Sequence, residues 1–278
     1  MKIIQCPNCN SILLFKSNCL RCENGHSFDI AKEGYTNLVL AHQKKKLNSG
    51  DNLSMIKNRE AFLSSGHYDF LIEKIESIIS TERSNDKNVT QIKTVLLDLG
   101  CGSGYYTRSL LNQSSDINKV GIDVSKAGIS ISAKKDKTSI YLVASIFNIP
   151  LVDNSVDVVT NIFAPCDINE IRRVLRDGGL FIKVIPHYNH MKEIAELVYE
   201  NFKPHTSDVE EQIKETENLS LINSHEVIQK VNLKSTDIQN LISMTPYVYK
   251  FQEEQLNSLQ DMFVTFSFKI ILGKIKKD

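Results

Sequence analysis

The sequence predicts an α/β protein with a doubly wound parallel sheet, preceded by a small cysteine-rich module. Two observations support this fold class. Four of the six cysteines fall within residues 6–22, and short apolar segments alternate with helical patterns from residue 94 onward. A chain of 278 residues is long enough for one α/β domain and a small extra module. The predicted boundaries are 1–40 for the module, 41–90 for a linker and helical segment, and 91–278 for the α/β domain.

The N-terminal module contains Cys6-Pro7-Asn8-Cys9, followed by Cys19, Cys22 and His26. A Cys-x2-Cys pair supplies two of the four ligands of tetrahedral zinc. Two completions are open: Cys19 with Cys22 gives an all-cysteine site, which the spacing slightly favours, and Cys22 with His26 gives three cysteines and a histidine. A piece of about 40 residues has too little core to fold without such a cross-link. The module therefore predicts one structural zinc ion.

The next segment is polar at first and helical afterwards. Residues 41–60 contain Lys44-Lys45-Lys46 and predict a linker or loop. Apolar residues recur at helical spacing through residues 55–82 and predict a helix, which the polar run 84–88 ends.

The α/β domain is predicted from nearly continuous apolar runs, which are typical of strands buried on both faces of a parallel sheet. The predicted strands are Thr94–Leu99, Lys119–Asp123, Ile140–Ala144, Val156–Phe163, Leu180–Ile185, Glu226–Leu233 and Phe263–Leu272. The predicted helices are one from about Tyr105, then Ser125–Lys135, Ile168–Leu175, residues 187–203 and Thr236–Met244.

The segment Leu97–Gly104 ends the first of these strands and opens a helix. Its glycines, Gly100, Gly102 and Gly104, let the backbone approach a ligand, and the helix start offers unpaired N–H groups. Dinucleotide loops usually have the spacing Gly-x-Gly-x-x-Gly, whereas here it is Gly-x-Gly-x-Gly with Asp98 ahead. S-adenosylmethionine (SAM) lacks a pyrophosphate and carries positive charge, so a carboxylate favours it. The loop therefore predicts a Rossmann-like class I SAM methyltransferase domain; NAD binding or a purely structural turn are the alternatives.

Further candidate site residues lie at or after the ends of predicted strands. Asp123 ends the second strand, where an acid hydrogen-bonds ribose hydroxyls. Ser145 follows the third strand, at the expected adenine position. Asn161 lies at the end of the fourth strand, where it either hydrogen-bonds a base edge or caps the strand. Asn161, Asp167 and His187 are candidate catalytic groups by location alone.

Charge and hydropathy limit the partners. The net charge is zero, so no global basic field indicates nucleic acid, although residues 1–60 hold nine Lys/Arg against five Asp/Glu. That excess weakly favours an RNA-facing N-terminus, and chance scatter explains it equally well. Phe163, at the end of the fourth predicted strand, is expected to stack on a nucleic acid base that has left its helix. The start of the chain has no signal-peptide core and no apolar run reaches the roughly 18–20 residues of a membrane span, which predicts a cytoplasmic protein without a membrane partner.

Several blocks of residues resemble a known family along almost the whole chain. They are Cys6-Pro7-x-Cys9, Cys22-x3-His26-x-Phe28-Asp29, Ala31-Lys32-Glu33-Gly34-Tyr35-x-Asn37-Leu38, Gly50-Asp51, Met55, Arg59, Phe62-Leu63, Gly66-His67-Tyr68, Gly100-Cys101-Gly102-x-Gly104-Tyr105-Tyr106-Thr107, Asp123-Val124-Ser125-Lys126, Ala164-Pro165-Cys166, Pro186, His190 and Met244-Thr245-Pro246. On these blocks the chain resembles the bacterial 23S rRNA (guanine-N1)-methyltransferases, including the branch linked to macrolide resistance. The Lys-Glu-Gly-Tyr and Gly-His-Tyr blocks carry the resemblance, because general methyltransferases lack them.

The resemblance implies methyl transfer from SAM to guanine N1 in a 23S rRNA hairpin, by a homodimer whose cleft holds the RNA. The implied zinc ligands are Cys6, Cys9, Cys22 and His26. The implied SAM contacts are Tyr68, Gly102, Ser103 and His190. Relatives have glutamate in place of Ser103 and arginine in place of Asn161, so the implied contact of Ser103 is through its backbone.

Two other functions fit the same motifs. One is a zinc-bearing methyltransferase of a protein or small molecule, and the other is a non-catalytic SAM-binding factor of ribosome assembly. The intact glycine loop, Asp98 and Asp123 argue against loss of SAM binding, but they do not distinguish among the acceptors.

Overall fold

The computed structural model describes residues 2–41, 51–84, 93–199 and 207–276. The Lys44-Lys45-Lys46 run of the predicted linker lies outside these residues, as does the end of the helix predicted over 187–203. Within the described ranges, none of the helices combines the length and the apolar character needed to cross a membrane.

Three short antiparallel strands form the N-terminal module. They are β1 (Leu14–Lys16), β2 (Cys19–Arg21) and β3 (Ser27–Asp29), adjacent in that order. The next strand, β4 (Thr36–Asn37), pairs in parallel with an edge strand of the large sheet. Gln5 N also donates to Pro150 O at 2.9 Å. The module is therefore attached to the large sheet by backbone hydrogen bonds.

The large sheet contains eight strands and confirms the predicted doubly wound α/β fold. Besides β4 it consists of β5 (Thr94–Leu99), β6 (Ile117–Asp123), β7 (Ile140–Val143), β8 (Val156–Ile162), β9 (Leu175–Pro186), β10 (Leu219–Leu233) and β11 (Met262–Ile275). The order is β10-β11-β9-β8-β5-β6-β7-β4. The strands from β4 to β9 pair in parallel, whereas β11 and β10 are antiparallel additions. The carboxyl ends of the parallel strands therefore meet at one edge, where ligands bind in such sheets.

Helices cover both faces of this sheet. They are α1 (Leu53–Ser64), α2 (Asp69–Ser84), α3 (Tyr105–Ser109), α4 (Lys126–Lys135), α5 (Ile168–Val174), α6 (Lys192–Glu196), α7 (Val209–Glu215), α8 (Ser235–Ser243), α9 (Glu253–Asn257) and the 3-10 helix Pro246–Lys250. One buried apolar cluster unites α1, α2 and α8 with the sheet. A second unites α5 and α7 with the sheet and includes Ile4, Leu13 and Leu20 of the module. The module thus contributes to the core of the large domain.

Expectations about several elements were wrong in detail. The strand predicted from Glu226 begins seven residues earlier, at Leu219. The helix predicted over 55–82 is two helices, because Gly66 has φ +80° and breaks the chain direction between them. Of the helix predicted over 187–203, the described part is helical only over Lys192–Glu196. Strand β9 begins at Leu175, five residues before its predicted start, and runs through an irregular pairing that contains Gly178 at φ +72°.

Candidate active site and metal centre

Two turns of the N-terminal module bring four potential zinc ligands together. Cys6 and Cys9 belong to the first turn, in which Cys9 N donates to Cys6 O at 3.3 Å. Cys22 and His26 belong to the second, which contains Gly25 at φ +84°. The ligand atoms of the four residues all lie within 4.8 Å of one another.

The distances among these atoms fit a tetrahedral zinc ion. Cys9 Sγ lies 3.8 Å from Cys22 Sγ, and His26 Nδ1 lies 3.4 Å from Cys22 Sγ and 3.6 Å from Cys6 Sγ. Zinc with ordinary bond lengths places its ligand atoms roughly 3.5–3.8 Å apart. Cys19 lies outside the cluster, and its Sγ donates to Lys16 O at 3.3 Å. The all-cysteine completion favoured by spacing is therefore wrong, and the site is Cys3His.

The glycine loop after β5 has an open face. Gly100, Gly102 and Gly104 have φ values of +76°, +55° and +74°, in the left-handed region. A Cβ atom on Gly100 would lie 2.4 Å from Ala164 Cβ, and one on Gly104 would lie 2.7 Å from Ser132 Cβ. A Cβ atom on Gly102 would meet no atom within 4 Å. Gly102 therefore borders space in which a ligand can contact the backbone, as SAM requires.

Asp123 lies beside this open face, at the end of β6. Its Oδ2 accepts a hydrogen bond from Gly102 N at 2.9 Å, and its Oδ1 accepts one from Ser125 N at 2.7 Å. Burial raises the pKa of the Asp123 carboxyl. Each carboxylate oxygen has a second lone pair, so Asp123 retains acceptors for ribose hydroxyls.

Asp98 was expected to face the cofactor, but the fold turns it inward. Its side chain accepts hydrogen bonds from Thr107 Oγ1 at 2.6 Å and Thr160 Oγ1 at 3.1 Å. Asp98 is only 2% exposed, and burial raises its pKa to about 6. The Asp98 carboxyl therefore links β5 to α3 and β8, and its contact with the cofactor stays a prediction.

An aromatic wall stands at the carboxyl end of β8. It consists of Tyr68, Phe163, His190, Phe266 and Phe268. The Phe268 ring centroid lies 5.0 Å from Tyr68, 5.1 Å from Phe163 and 4.8 Å from His190. Two predicted SAM contacts, Tyr68 and His190, are thus brought together although 122 residues separate them in the sequence (190 − 68). Phe163 is 38% exposed and has φ +55°, a strained conformation that marks functional sites in many proteins.

Tyr106 is a further candidate site residue, to which the sequence analysis assigned no role. Its ring centroid lies 6.3 Å from that of Phe163. The Tyr106 hydroxyl is buried and has no hydrogen-bond partner in the described parts of the chain. A buried hydroxyl is rarely left unpaired, so this one fits a site completed by a bound ligand. Its position two residues after the glycine loop was the available signal.

Ser103 connects the loop to a buried carboxylate on α1. The Ser103 hydroxyl donates to Glu60 Oε2 at 2.5 Å, and Glu60 Oε1 accepts from Arg108 and Lys135 at 2.5 Å each. Burial tends to raise the pKa of Glu60, but these hydrogen bonds and the Arg108 charge outweigh it and lower the pKa. The side chain of Ser103 therefore anchors the loop, which leaves its backbone for any cofactor contact.

Ser145 follows Ala144, whose N–H donates to Asp123 O at 3.0 Å, so Ser145 lies at the same edge of the sheet as Asp123. It lines a cleft of about 230 Å³ between the module and the sheet, together with Gln5, Asn10, Leu38 and Asn148. Its Oγ accepts a hydrogen bond from Phe147 N at 3.1 Å. Contact with an adenine stays a prediction.

The three candidate catalytic groups are mostly engaged within the fold. Asn161 is fully buried, and its Nδ2 donates to Leu99 O and Pro165 O at 2.8 and 3.0 Å. Asp167 caps α5 by accepting from the N–H groups of the helix start. His187 Nε2 lies 3.6 Å from Glu226 Oε1. In this structure Asn161 makes the hydrogen bonds of a structural strand-end residue, and its recognition of a base edge stays a prediction.

Comparisons with known proteins agree with both parts of the site. Residues 4–47 match the family model described as "RlmA, N-terminal", and residues 97–183 match "Methyltransferase domain". A Streptomyces fradiae protein named 23S rRNA (guanine(748)-N(1))-methyltransferase is 32% identical over 197 residues, which are 70% of this chain and 68% of the relative. YxjB of Bacillus subtilis (strain 168), whose name provisionally assigns it as a 23S rRNA (guanine-N(1)-)-methyltransferase, is 27% identical over 98% of this chain and 96% of its own.

A solved SAM-dependent methyltransferase from Aquifex aeolicus has a TM-score of 0.44 and 15% identity, covering 66% of this chain and 83% of that chain. This loose likeness carries no argument. The Streptomyces relative does, together with the matches of the module and of the methyltransferase domain in one chain. The protein belongs to the RlmA family of 23S rRNA guanine-N1 methyltransferases, with a SAM-dependent methyltransferase domain and an N-terminal zinc ribbon.

Proposed function

We propose that this protein transfers the methyl group of SAM to N1 of a guanine in a hairpin of 23S rRNA. The observation that carries the proposal is the position of Phe163. Its half-exposed ring lies on the turn whose Ala164 packs directly against Gly100 of the glycine loop. An aromatic ring beside the cofactor loop is suited to stack on a base that leaves its helix.

The chemistry requires little from the protein beyond placement. SAM, when bound, supplies an electrophilic methyl group on its sulfonium. Guanine N1 carries a proton, which would pass to water as the N–CH3 bond forms and the methyl–sulfur bond breaks, and no covalent enzyme intermediate is needed. Because Asn161 and Asp167 are engaged in the fold, the residues of the wall contribute mainly by holding the base in line.

The surface of the module supports an RNA partner. Ile12, Leu14 and Phe15 on and beside β1 are exposed by 42%, 38% and 53%, next to the basic Lys16. Exposed aromatic and basic side chains together suit a nucleic acid surface. The Lys44-Lys45-Lys46 run, outside the described residues, is proposed to contact phosphates. On the family resemblance we also propose a homodimer that acts in the cytoplasm.

The first prediction concerns the cofactor. Asp123→Ala should weaken SAM binding by roughly 5- to 150-fold, because the ribose hydroxyls lose an acceptor worth about 1–3 kcal/mol. Isothermal calorimetry measures this directly. Asp136→Asn is the matched control, since Asp136 also accepts a backbone N–H, from Thr138 at 2.7 Å, but lies at the end of α4. Equal SAM affinity in Asp123→Ala and the unaltered protein would exclude the ribose assignment.

The acceptor is tested by competition among acceptor classes. The protein is incubated with methyl-labelled SAM and unmodified 23S rRNA, 16S rRNA, free guanosine monophosphate or ribosomal proteins. We expect label only in 23S rRNA, recovered as N1-methylguanosine after digestion. Label in protein or in the free nucleotide would support the alternative acceptors, and SAM binding without transfer to any of them would support a non-catalytic assembly factor.

A further inference from the structure

Lys183 is a buried cation that the predicted chemistry does not use. It lies on β9 and is 4% exposed. Its ammonium donates hydrogen bonds to two neutral oxygens, Asn161 Oδ1 and Ala164 O, and it forms no ion pair with any side chain that the structure describes. Burying an ammonium without a carboxylate is costly, and burial lowers the pKa of Lys183. Such a group is retained where its hydrogen bonds fix something specific.

Both acceptors of Lys183 belong to one structural connection. Asn161 Nδ2 donates to Leu99 O, immediately before the glycine loop, and to Pro165 O. Lys183 and Asn161 together therefore tie the end of β5 to the turn Phe163–Pro165. We call these two side chains the turn clamp.

The clamped turn carries the half-exposed ring of the aromatic wall. Phe163 is held at φ +55°, a conformation that is unfavourable for a residue with a side chain and persists only when its surroundings impose it. Ala164 limits the turn from the other side, since a Cβ on Gly100 would lie 2.4 Å from its Cβ. The turn thus fits between the glycine loop and the clamp.

We propose that Lys183 is a positioning residue. Through Asn161 and Ala164 it holds the Phe163 ring where the acceptor guanine stacks on it with N1 in line with the SAM methyl group. This rests on the proposed function for the identity of the acceptor. The positioning itself concerns only the conformation of the turn. Lys183 acts through Phe163 and does not contact the base.

The conformation of the turn is measurable without any substrate. The chain contains no tryptophan, so Phe163→Trp places a single indole reporter on the turn. Adding Lys183→Met should shift its emission to the red and increase acrylamide quenching about two-fold or more, because an unclamped turn exposes the ring. Lys119→Met is the matched control: Lys119, on β6, is another buried lysine, 9% exposed, and it donates to Arg108 O of α3 and to neither Asn161 nor Ala164.

Enzyme kinetics provide the second readout. Lys183→Met should lower kcat/KM for the 23S rRNA hairpin by about 10-fold to 100-fold, as expected for a misplaced stacking group, with SAM affinity changed less than two-fold. Phe163→Ala should cause a similar loss alone and little further loss in the Lys183→Met background, because both changes remove one interaction. If Lys183→Met fails to fold, Lys183→Gln, which keeps donors on a shorter side chain, replaces it and should give an intermediate loss.

Indole fluorescence that stays unchanged when Lys183→Met is added to Phe163→Trp would overturn the positioning role. Losses of kcat/KM that multiply in the double variant of Phe163→Ala and Lys183→Met would do so too. A comparable fluorescence change in Lys119→Met would do the same, because it would show a general effect of losing a buried lysine. Failure of the unaltered protein to methylate guanine N1 would instead overturn the proposed function, while the fluorescence result would still decide the role of Lys183.

Discussion

Gly102→Ala is expected to lower the affinity for SAM by about 30-fold or more, corresponding to about 2 kcal/mol, while the protein stays folded. A Cβ atom at this position meets no protein atom within 4 Å, so the added methyl group projects into the space assigned to the cofactor. The left-handed φ of +55° adds a modest cost of about 1 kcal/mol to folding. Calorimetric titration with SAM and a thermal melt separate the two effects.

Gly34→Ala is the control for this substitution. Gly34 also has a positive φ, +107°, and a Cβ there meets only the flexible end of Lys137 at 3.9 Å. The control should lose some stability and keep its SAM affinity. If Gly102→Ala binds SAM as tightly as Gly34→Ala does, the open face of the glycine loop is not the cofactor site.

Cys22→Ser is expected to remove zinc almost completely and to unfold the module. Cys22 is buried, and its Sγ lies 3.8 Å from Cys9 Sγ and 3.4 Å from His26 Nδ1, as expected for ligands of one zinc ion. Structural zinc contributes on the order of 10 kcal/mol to the folding of small modules. Because Ile4 and Leu13 of the module belong to the core of the large domain, the thermal unfolding temperature of the whole protein should fall as well.

Elemental analysis of the purified protein should give one zinc ion per chain before substitution and none in Cys22→Ser. Cys19→Ser serves as the control, because Cys19 Sγ donates to Lys16 O and lies outside the metal cluster, and the variant should keep the full zinc content. Loss of zinc in Cys19→Ser with retention in His26→Ala would return the site to the all-cysteine arrangement.

The fold was predictable because its signals are local. Runs such as Thr94–Leu99 are nearly all apolar and are flanked by polar sequence, so the parallel strands could be found one at a time. The helix over 55–82 was predicted as continuous because apolar spacing continues across Gly66. The positive φ of Gly66 divides the helix, and Tyr68, two residues later, is buried. Both features depend on tertiary packing, which the spacing of apolar residues does not encode.

The site was predictable in its composition but not in the direction of its side chains. Asp98 and Asn161 both lie at strand ends, yet they point into hydrogen bonds with residues 62 positions away. Glu60 was missed because its partner Ser103 is 43 positions distant. Long-range contacts of this kind decide whether a polar residue faces a ligand or the interior, and a single sequence does not show them.

Methyl transfer to guanine N1 of 23S rRNA is tested most directly by mapping reverse-transcription stops. A methyl group on N1 blocks the Watson–Crick edge, so primer extension halts next to the modified guanine. After incubation of unmodified 23S rRNA with protein and SAM, we expect one new strong stop beside a hairpin guanine, absent without SAM and greatly weakened with Gly102→Ala. Extension through every guanine, from a protein that binds SAM and carries its zinc, would contradict the account.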